Sequence, residues 1–90
     1  MIKKLDYRLI ERLIKWSRRF LLGDIQIGQL IESFTATSTA LESNSLPGLK
    51  ETLHNISNDL ELTSLVGSSE ELENKVKNAI QELNGFIGHE

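Results

Sequence analysis

Hydrophobic residues recur at steps of three and four along most of this 90-residue chain, which is the pattern of amphipathic helices. The first such stripe, with a second apolar row beside it, predicts a helix over residues 6–22 that is buried in a bundle. Its positions are Leu5, Leu9, Leu13, Trp16 and Phe20, widened by Ile10, Ile14, Ser17 and Leu21. Gly23 is the expected residue after the helix end, since glycine adopts the left-handed conformation without a Cβ penalty.

The second predicted helix begins near Asp24, whose carboxylate is a suitable N-cap for the first free amides. Its apolar positions are Ile27, Leu30, Ile31, Phe34 and Leu41. The run of Thr, Ser and Ala at residues 35–40 has weak helix propensity. We therefore expect this helix to be the weakest of the four and to fray near Glu42.

A loop is expected over residues 43–48, where Asn, Ser, Pro and Gly favour turns. Pro47 is expected in the first turn of the third helix, where its missing N–H costs nothing. The apolar positions of that helix are Leu49, Leu53, Ile56 and Leu60. Its end is expected by residue 62 or 63, with residues 65–67 as a short connection.

The fourth predicted helix starts with a capping box, in which Ser68 is the N-cap and Glu71 stands three residues later. Its apolar positions are Leu72, Val76, Ala79, Ile80 and Leu83. The helix is expected to reach about Asn84 and to stop at Gly85, with Phe86 and Ile87 folding back over the core. No segment alternates with period two, so the predicted fold is all-α: one domain over residues 1–90, an antiparallel four-helix bundle.

The composition excludes several classes of protein. Hydrophobic residues make up 39% and charged residues 26%, which is typical of a globular domain and argues against disorder. The absence of cysteine excludes disulfides, thiolate metal sites and a cysteine nucleophile. No apolar run is long enough for a transmembrane helix, and the start lacks a signal-peptide pattern. We expect a cytoplasmic protein with no membrane partner.

No group of residues indicates catalysis. His54 and His89 are the only histidines, 35 positions apart. Only Glu51 and Asn58 stand at metal-ligand spacing from His54, and a metal site would need more ligands. No serine stands in a nucleophile elbow or a glycine-rich phosphate loop. We expect no enzyme activity, no cofactor and no metal.

The charges are divided unevenly along the chain. Residues 1–19 carry seven basic and two acidic residues, whereas the rest carries three basic and eleven acidic residues. Two explanations stay open: a partner of opposite charge, or mutual neutralisation within the domain.

Five carboxylates are expected to gather at one end of the bundle. Asp59 and Glu61 close the third helix, while Glu70, Glu71 and Glu73 open the fourth. Their mutual repulsion favours a cationic partner, so they are the candidate partner-binding residues. The simpler explanation is that acids at a helix N-terminus are stabilised by the helix dipole and the capping box.

The basic first helix allows two other functions. Arg12, Lys15 and Arg19 would serve a protein-interaction or regulatory module, or a surface that binds nucleic acid or a membrane. The overall pI of about 5.4 argues against direct nucleic-acid binding. The oligomeric state does not follow from the sequence.

A helix end of the form Phe-Leu-x-Gly, an acidic–isoleucine pair and an amphipathic helix ending in an aromatic residue follow one another in the chain. They are Phe20-Leu21-Leu22-Gly23, Asp24-Ile25 and Leu30-Ile31-Glu32-Ser33-Phe34. A Leu-rich helix, an acidic segment at residues 58–62 and an acidic-capped final helix come later. Over residues 10–84 this order resembles the colicin D immunity protein family and related bacterial self-immunity proteins.

The resemblance implies an immunity protein that protects a bacterium from a bacteriocin or a contact-dependent growth-inhibition toxin. Its partner would be the toxin's nuclease domain, which cleaves tRNA in colicin D and its relatives. A nuclease cleft that grips phosphate is lined by Lys and Arg, and an acidic surface can occupy it in place of phosphate.

Overall fold

Four helices account for most of the chain. The computed structural model describes residues 4–41 and 47–87, with side chains described from residue 6 onward. The helices are α1 (Lys4–Leu21), α2 (Ile27–Ala40), α3 (Leu49–Val66) and α4 (Ser69–Ile87), and no strand occurs in the described ranges. The predicted all-α four-helix bundle is confirmed.

Each helix packs against two neighbours, so the bundle has four corners. Helix α1 contacts α2 and α4, and α3 contacts the same two helices. Within the described residues α1 does not contact α3, so these two helices lie at diagonal corners. The last helix returns to the first, since the Tyr7 hydroxyl donates to the Ile87 carbonyl at 3.4 Å.

The core consists of one apolar stripe from each helix. Phe34 of α2 is its largest fully buried side chain. The buried hydrophobic residues are Ile10, Leu13, Ile14, Leu30, Phe34, Leu41, Leu49, Leu53, Ile56, Leu60, Val76, Ala79 and Leu83. Leu9, Trp16 and Phe20, expected at the centre of the first stripe, are only partly buried, and the stripe is centred instead on Ile10, Leu13, Ile14 and Ser17.

The end of α1 shows why Asp24 does not cap α2. Gly23 has φ +85°, and its N–H donates to the Phe20 carbonyl at 3.0 Å. The N–H of Asp24 donates to the Arg19 carbonyl at 2.9 Å. These two bonds form a Schellman motif, which uses Asp24 to finish α1. The prediction for Gly23 is confirmed, and the prediction for Asp24 is wrong.

Helix α2 begins three residues later than its expected cap. Gln26 is the N-cap, and its backbone N–H donates to the side-chain oxygen of Gln29 at 2.9 Å. The helix ends at Ala40, where the N–H of Leu41 donates to the Thr37 carbonyl at 3.2 Å. The fraying expected near Glu42 and most of the expected loop, residues 43–46, lie outside the described residues.

Helix α3 starts later and ends later than expected. Pro47 lies in the turn before the helix, and Gly48 is the N-cap with φ +80°. The helix continues through Leu65 and Val66, which were expected to form a connection, because only Gly67 interrupts it. The core stripe of α3 did not reveal this continuation, because Leu65 and Val66 belong to the helix but do not face the core.

Helix α4 runs through Gly85, so the expected stop is wrong. A glycine inside a helix costs about 1 kcal/mol relative to alanine. Phe86 and Ile87 are half-buried against the core within the helix rather than folding back over it. Their burial and the hydrogen bond from Tyr7 to Ile87 keep the last turn helical.

Burial predicts a large loss of stability on truncating one leucine of α3 and almost none on truncating another. Leu53 is fully buried, whereas Leu65 is 75% exposed. We expect Leu53→Ala to lower the free energy of unfolding by about 2–5 kcal/mol, through lost burial and the cavity left behind. Leu65→Ala, the matched control, is expected to change it by less than about 0.5 kcal/mol. Urea denaturation measures both values, and equal effects would contradict this packing.

Candidate protein-interaction surface

A two-residue turn joins α3 to α4 and positions the acidic residues. The N–H of Gly67 donates to the Thr63 carbonyl at 2.8 Å and closes α3. Ser68 is the N-cap of α4, because its Oγ accepts the Glu71 N–H at 3.1 Å. The Ser68 hydroxyl in turn donates to the Glu71 carboxylate at 3.4 Å. The predicted capping role of Ser68 is confirmed.

The turn is tight at Gly67. A Cβ at this position would stand 2.9 Å from both the Thr63 carbonyl oxygen and its Cγ2. The Thr63 side chain is itself buried. Glycine is therefore required by the close approach, since the φ of −97° suits any residue.

All five candidate carboxylates are exposed, and one of them forms an ion pair between the two helices. The Asp59 carboxylate lies 3.2 Å from the Lys75 ammonium, with 48% and 44% of the two side chains exposed. Such a pair contributes at most about 1 kcal/mol. The pair also shows that Asp59 lies on the flank of α3 that faces α4.

Glu61 lies on the other flank of α3. Side chains two residues apart on a helix point in directions about 160° apart. Ser57, one turn before Glu61, hydrogen bonds to Thr35 of α2 at 2.8 Å, so this flank faces α2. Asp59 and Glu61 therefore lie on opposite edges of the outer face of α3.

The three acids of α4 do not join Asp59 in one continuous face. Glu71 bonds within the turn. Glu73 stands two residues before Lys75, so it lies on the opposite flank of α4, toward α1, and Glu70 lies one turn before it. Asp59 lies about two turns before the end of α3, whereas Glu70, Glu71 and Glu73 lie in the first turns of α4. The five carboxylates therefore form a spread-out set, here called the carboxylate rim, and not one cluster.

An apolar ridge that the sequence interpretation missed lies between Asp59 and Glu61. Leu62, Leu65 and Val66 are 59%, 75% and 78% exposed, although each is a large hydrophobic residue. Their spacing of i, i+3 and i+4 places them together on the outer face of α3. We call these three residues the α3 ridge. Their position off the core stripe was the available signal, once residues 62–66 are assigned to the helix.

The basic surface lies at a different corner of the bundle. Arg8, Arg12, Lys15, Arg18 and Arg19 of α1 are all exposed. Because α1 and α3 do not touch within the described residues, these cations do not pair with Asp59 or Glu61. Neutralisation within the domain therefore does not act through direct pairs between α1 and α3 in the described residues, and α1 contacts the acidic helix α4.

The described residues contain no group of three or more His, Asp or Glu side chains able to hold a metal ion. His54 is exposed on α3, and His89 lies outside the described ranges. No described helix has both the length and the apolar character needed to cross a membrane.

In comparisons with known proteins, no family model, no curated protein and no solved structure matches this chain. The resemblance to the colicin D immunity proteins rests on the motifs quoted above.

Two glycines give a test of the turn that positions the acids. We expect Gly67→Ala to lower the free energy of unfolding by about 1–3 kcal/mol, because the new methyl group meets the Thr63 carbonyl. Gly28→Ala in α2 is the control, since its Cβ meets nothing within 4 Å. That change is expected to raise stability by up to about 1 kcal/mol. Urea denaturation measures the free energy of unfolding of both variants. An unchanged value for Gly67→Ala would contradict the tight turn.

Proposed function

We propose that this protein is a cytoplasmic immunity protein that binds and neutralises the nuclease domain of a bacterial toxin. The toxin would be a bacteriocin or a contact-dependent inhibition toxin, with tRNA cleavage the activity implied by the resemblance. The observation that carries the proposal is the α3 ridge, bordered by Asp59 and Glu61 at the end of the bundle where the other carboxylates lie. The protein would act by covering the toxin, with no chemistry or cofactor of its own.

The carboxylate rim suits the approach to a basic partner. A nuclease cleft carries Lys and Arg to hold phosphate, so its potential is positive. Surface charges of opposite sign steer two proteins together and raise the association rate at low salt. Glu61, Glu70 and Glu73 have no ion-pair partner within residues 6–41 and 47–87, which leaves them free for this role.

The α3 ridge suits the contact itself. Protein interfaces have an apolar, desolvated centre and a polar rim, and residues at the centre carry most of the binding energy. Leu65 and Val66 lie between carboxylates on the outer face of α3, which gives this arrangement on a single helix. The acids would then set the association rate, and the ridge would set the lifetime of the complex.

A second candidate function is supported by the exposed cations of α1. The Arg19 guanidinium stacks over the Trp16 ring at 5.4 Å, so one cation is held in place beside an aromatic side chain. This surface could serve a protein-interaction module or bind nucleic acid. Insertion of α1 into a membrane is disfavoured, because Ile10 and Leu13 are already buried in the bundle. A salt-dependent shift with tRNA or anionic vesicles would favour this function.

Charge removal tests the rim. The test variant combines Asp59→Asn, Glu61→Gln, Glu70→Gln and Glu73→Gln, and it spares Glu71 because that side chain contacts the N-cap of α4. The control removes the same number of exposed acids elsewhere, through E11Q, D24N, E32Q and E51Q. Against a cognate toxin nuclease domain, we expect the test variant to associate about tenfold more slowly at low salt. The control is expected to stay within about twofold, on the same principle of local steering.

Truncation of one ridge residue tests the contact. We expect Leu65→Ser to speed dissociation from the toxin domain by about tenfold or more, and to weaken growth rescue on co-expression. Leu22→Ser is the matched control, since Leu22 is 77% exposed in the turn that follows α1. Stopped-flow association and dissociation rates separate the two effects. Unchanged kinetics in both the charge and the ridge variants would refute this surface as the binding site.

A further inference from the structure

A groove separates α1 from α2 on the outside of the bundle. Its volume is about 470 Å³, within the usual range of binding clefts. Leu9, Leu13 and Trp16 of α1 form one wall, and Ala36 and Ala40 of α2 form the other. Trp16 is only half-buried, so the indole gives the groove a large apolar surface that remains open to a partner.

Two polar residues of the α2 wall, Ser33 and Thr37, use their hydroxyl groups in hydrogen bonds within the helix. The Ser33 hydroxyl donates to the Gln29 carbonyl at 3.0 Å, and the Thr37 hydroxyl donates to the Ser33 carbonyl at 2.8 Å. Both donors are therefore used inside the helix. The α2 wall therefore offers the methyl groups of Ala36 and Ala40 beside the polar side chains of Gln29 and Glu32, and the α1 wall supplies most of the apolar surface.

Cations border this groove. Arg12 lines it, and the Arg19 guanidinium lies over the Trp16 ring that forms its wall. Glu32 is the one acidic residue among the described residues that line it. An occupant that matches the groove therefore has large apolar side chains flanked by carboxylates.

The α3 ridge has this chemistry. Its three apolar side chains recur at i, i+3 and i+4, the spacing by which one helix inserts into a groove of another protein. Glu61 borders the ridge with no ion-pair partner among the described residues, whereas Asp59 is paired with Lys75. On the groove, Arg12 is part of the lining and Arg19 lies over the Trp16 ring. Ridge and groove are thus complementary in both charge and apolar character.

We propose that the α3 ridge of one molecule docks into the α1–α2 groove of a second copy of this chain. Because α1 and α3 occupy diagonal corners, the ridge and the groove lie on different sides of the molecule. The contact is therefore heterologous, and each bound copy still offers a free ridge and a free groove. Association of this kind produces open chains or closed rings of three or more copies rather than a two-copy dimer.

This self-association does not rest on the proposed function, since it uses surfaces of this chain alone. If both proposals hold, the toxin and a second copy compete for the same ridge. The protein without toxin would then protect its own exposed apolar residues, and toxin binding would release the copies from one another.

Two blocking variants test the docking. Leu65→Glu places a charge on the ridge, and Ala36→Glu fills the groove, both at exposed positions. In sedimentation velocity at low salt, we expect the average mass of the wild type to pass that of two copies as concentration rises. Each variant alone is expected to stay monomeric. An equal mixture of the two is expected to form one-to-one dimers and nothing larger, because only one intact ridge–groove pair remains.

Controls for the mixture come from exposed positions near the groove but outside it. Leu22→Glu and Thr39→Glu introduce the same side chain at exposed positions outside the ridge and the groove, and both are expected to assemble like the wild type. Val66→Glu and Ala40→Glu repeat the test if either blocking variant loses its far-UV circular dichroism. A wild type that stays monomeric to millimolar concentration, an assembly that stops at the dimer, or a mixture that fails to pair would overturn the proposal.

Discussion

Burial of a single narrow stripe on α3 determines how the rest of the molecule is arranged. Leu49, Leu53, Ile56 and Leu60 are all buried at successive turns, which fixes the rotation of this helix between α2 and α4. The same rotation forces the opposite side of α3 outward, where no other described helix covers it. Burial of the core stripe therefore also determines that the α3 ridge is exposed.

The number, order and type of the helices followed from apolar spacing, because a four-helix bundle must bury one stripe per helix. The helix ends did not follow from it. Asp24 has the chemistry of an N-cap, but the backbone of α1 uses it first. Gly85 has the chemistry of a stop, but the half-buried side chains beyond it outweigh its cost. Termini are decided by competition between neighbouring elements, which local propensity does not describe.

The candidate site was predictable only in part for a similar reason. The closeness of the end of α3 to the start of α4 followed from the short connection predicted between them. The flank occupied by each acid required the packing partners, namely Lys75 for Asp59 and the α2 side for Glu61. The ridge was missed because Leu65 and Val66 were assigned to a connection. In a connection, the spacing of apolar residues does not place them on one face of a helix.

The diagonal placement of α1 and α3 has a consequence for how the molecule moves before it touches anything. The cations of α1 on one side and the acids of α3 and α4 on the other give the bundle an electric dipole across its short dimension, 18–21 Å wide. Near a strongly charged body, the resulting torque turns the protein as it diffuses, so that one corner leads. Which side arrives first is then settled at a distance of about one Debye length, roughly 8–10 Å in physiological salt.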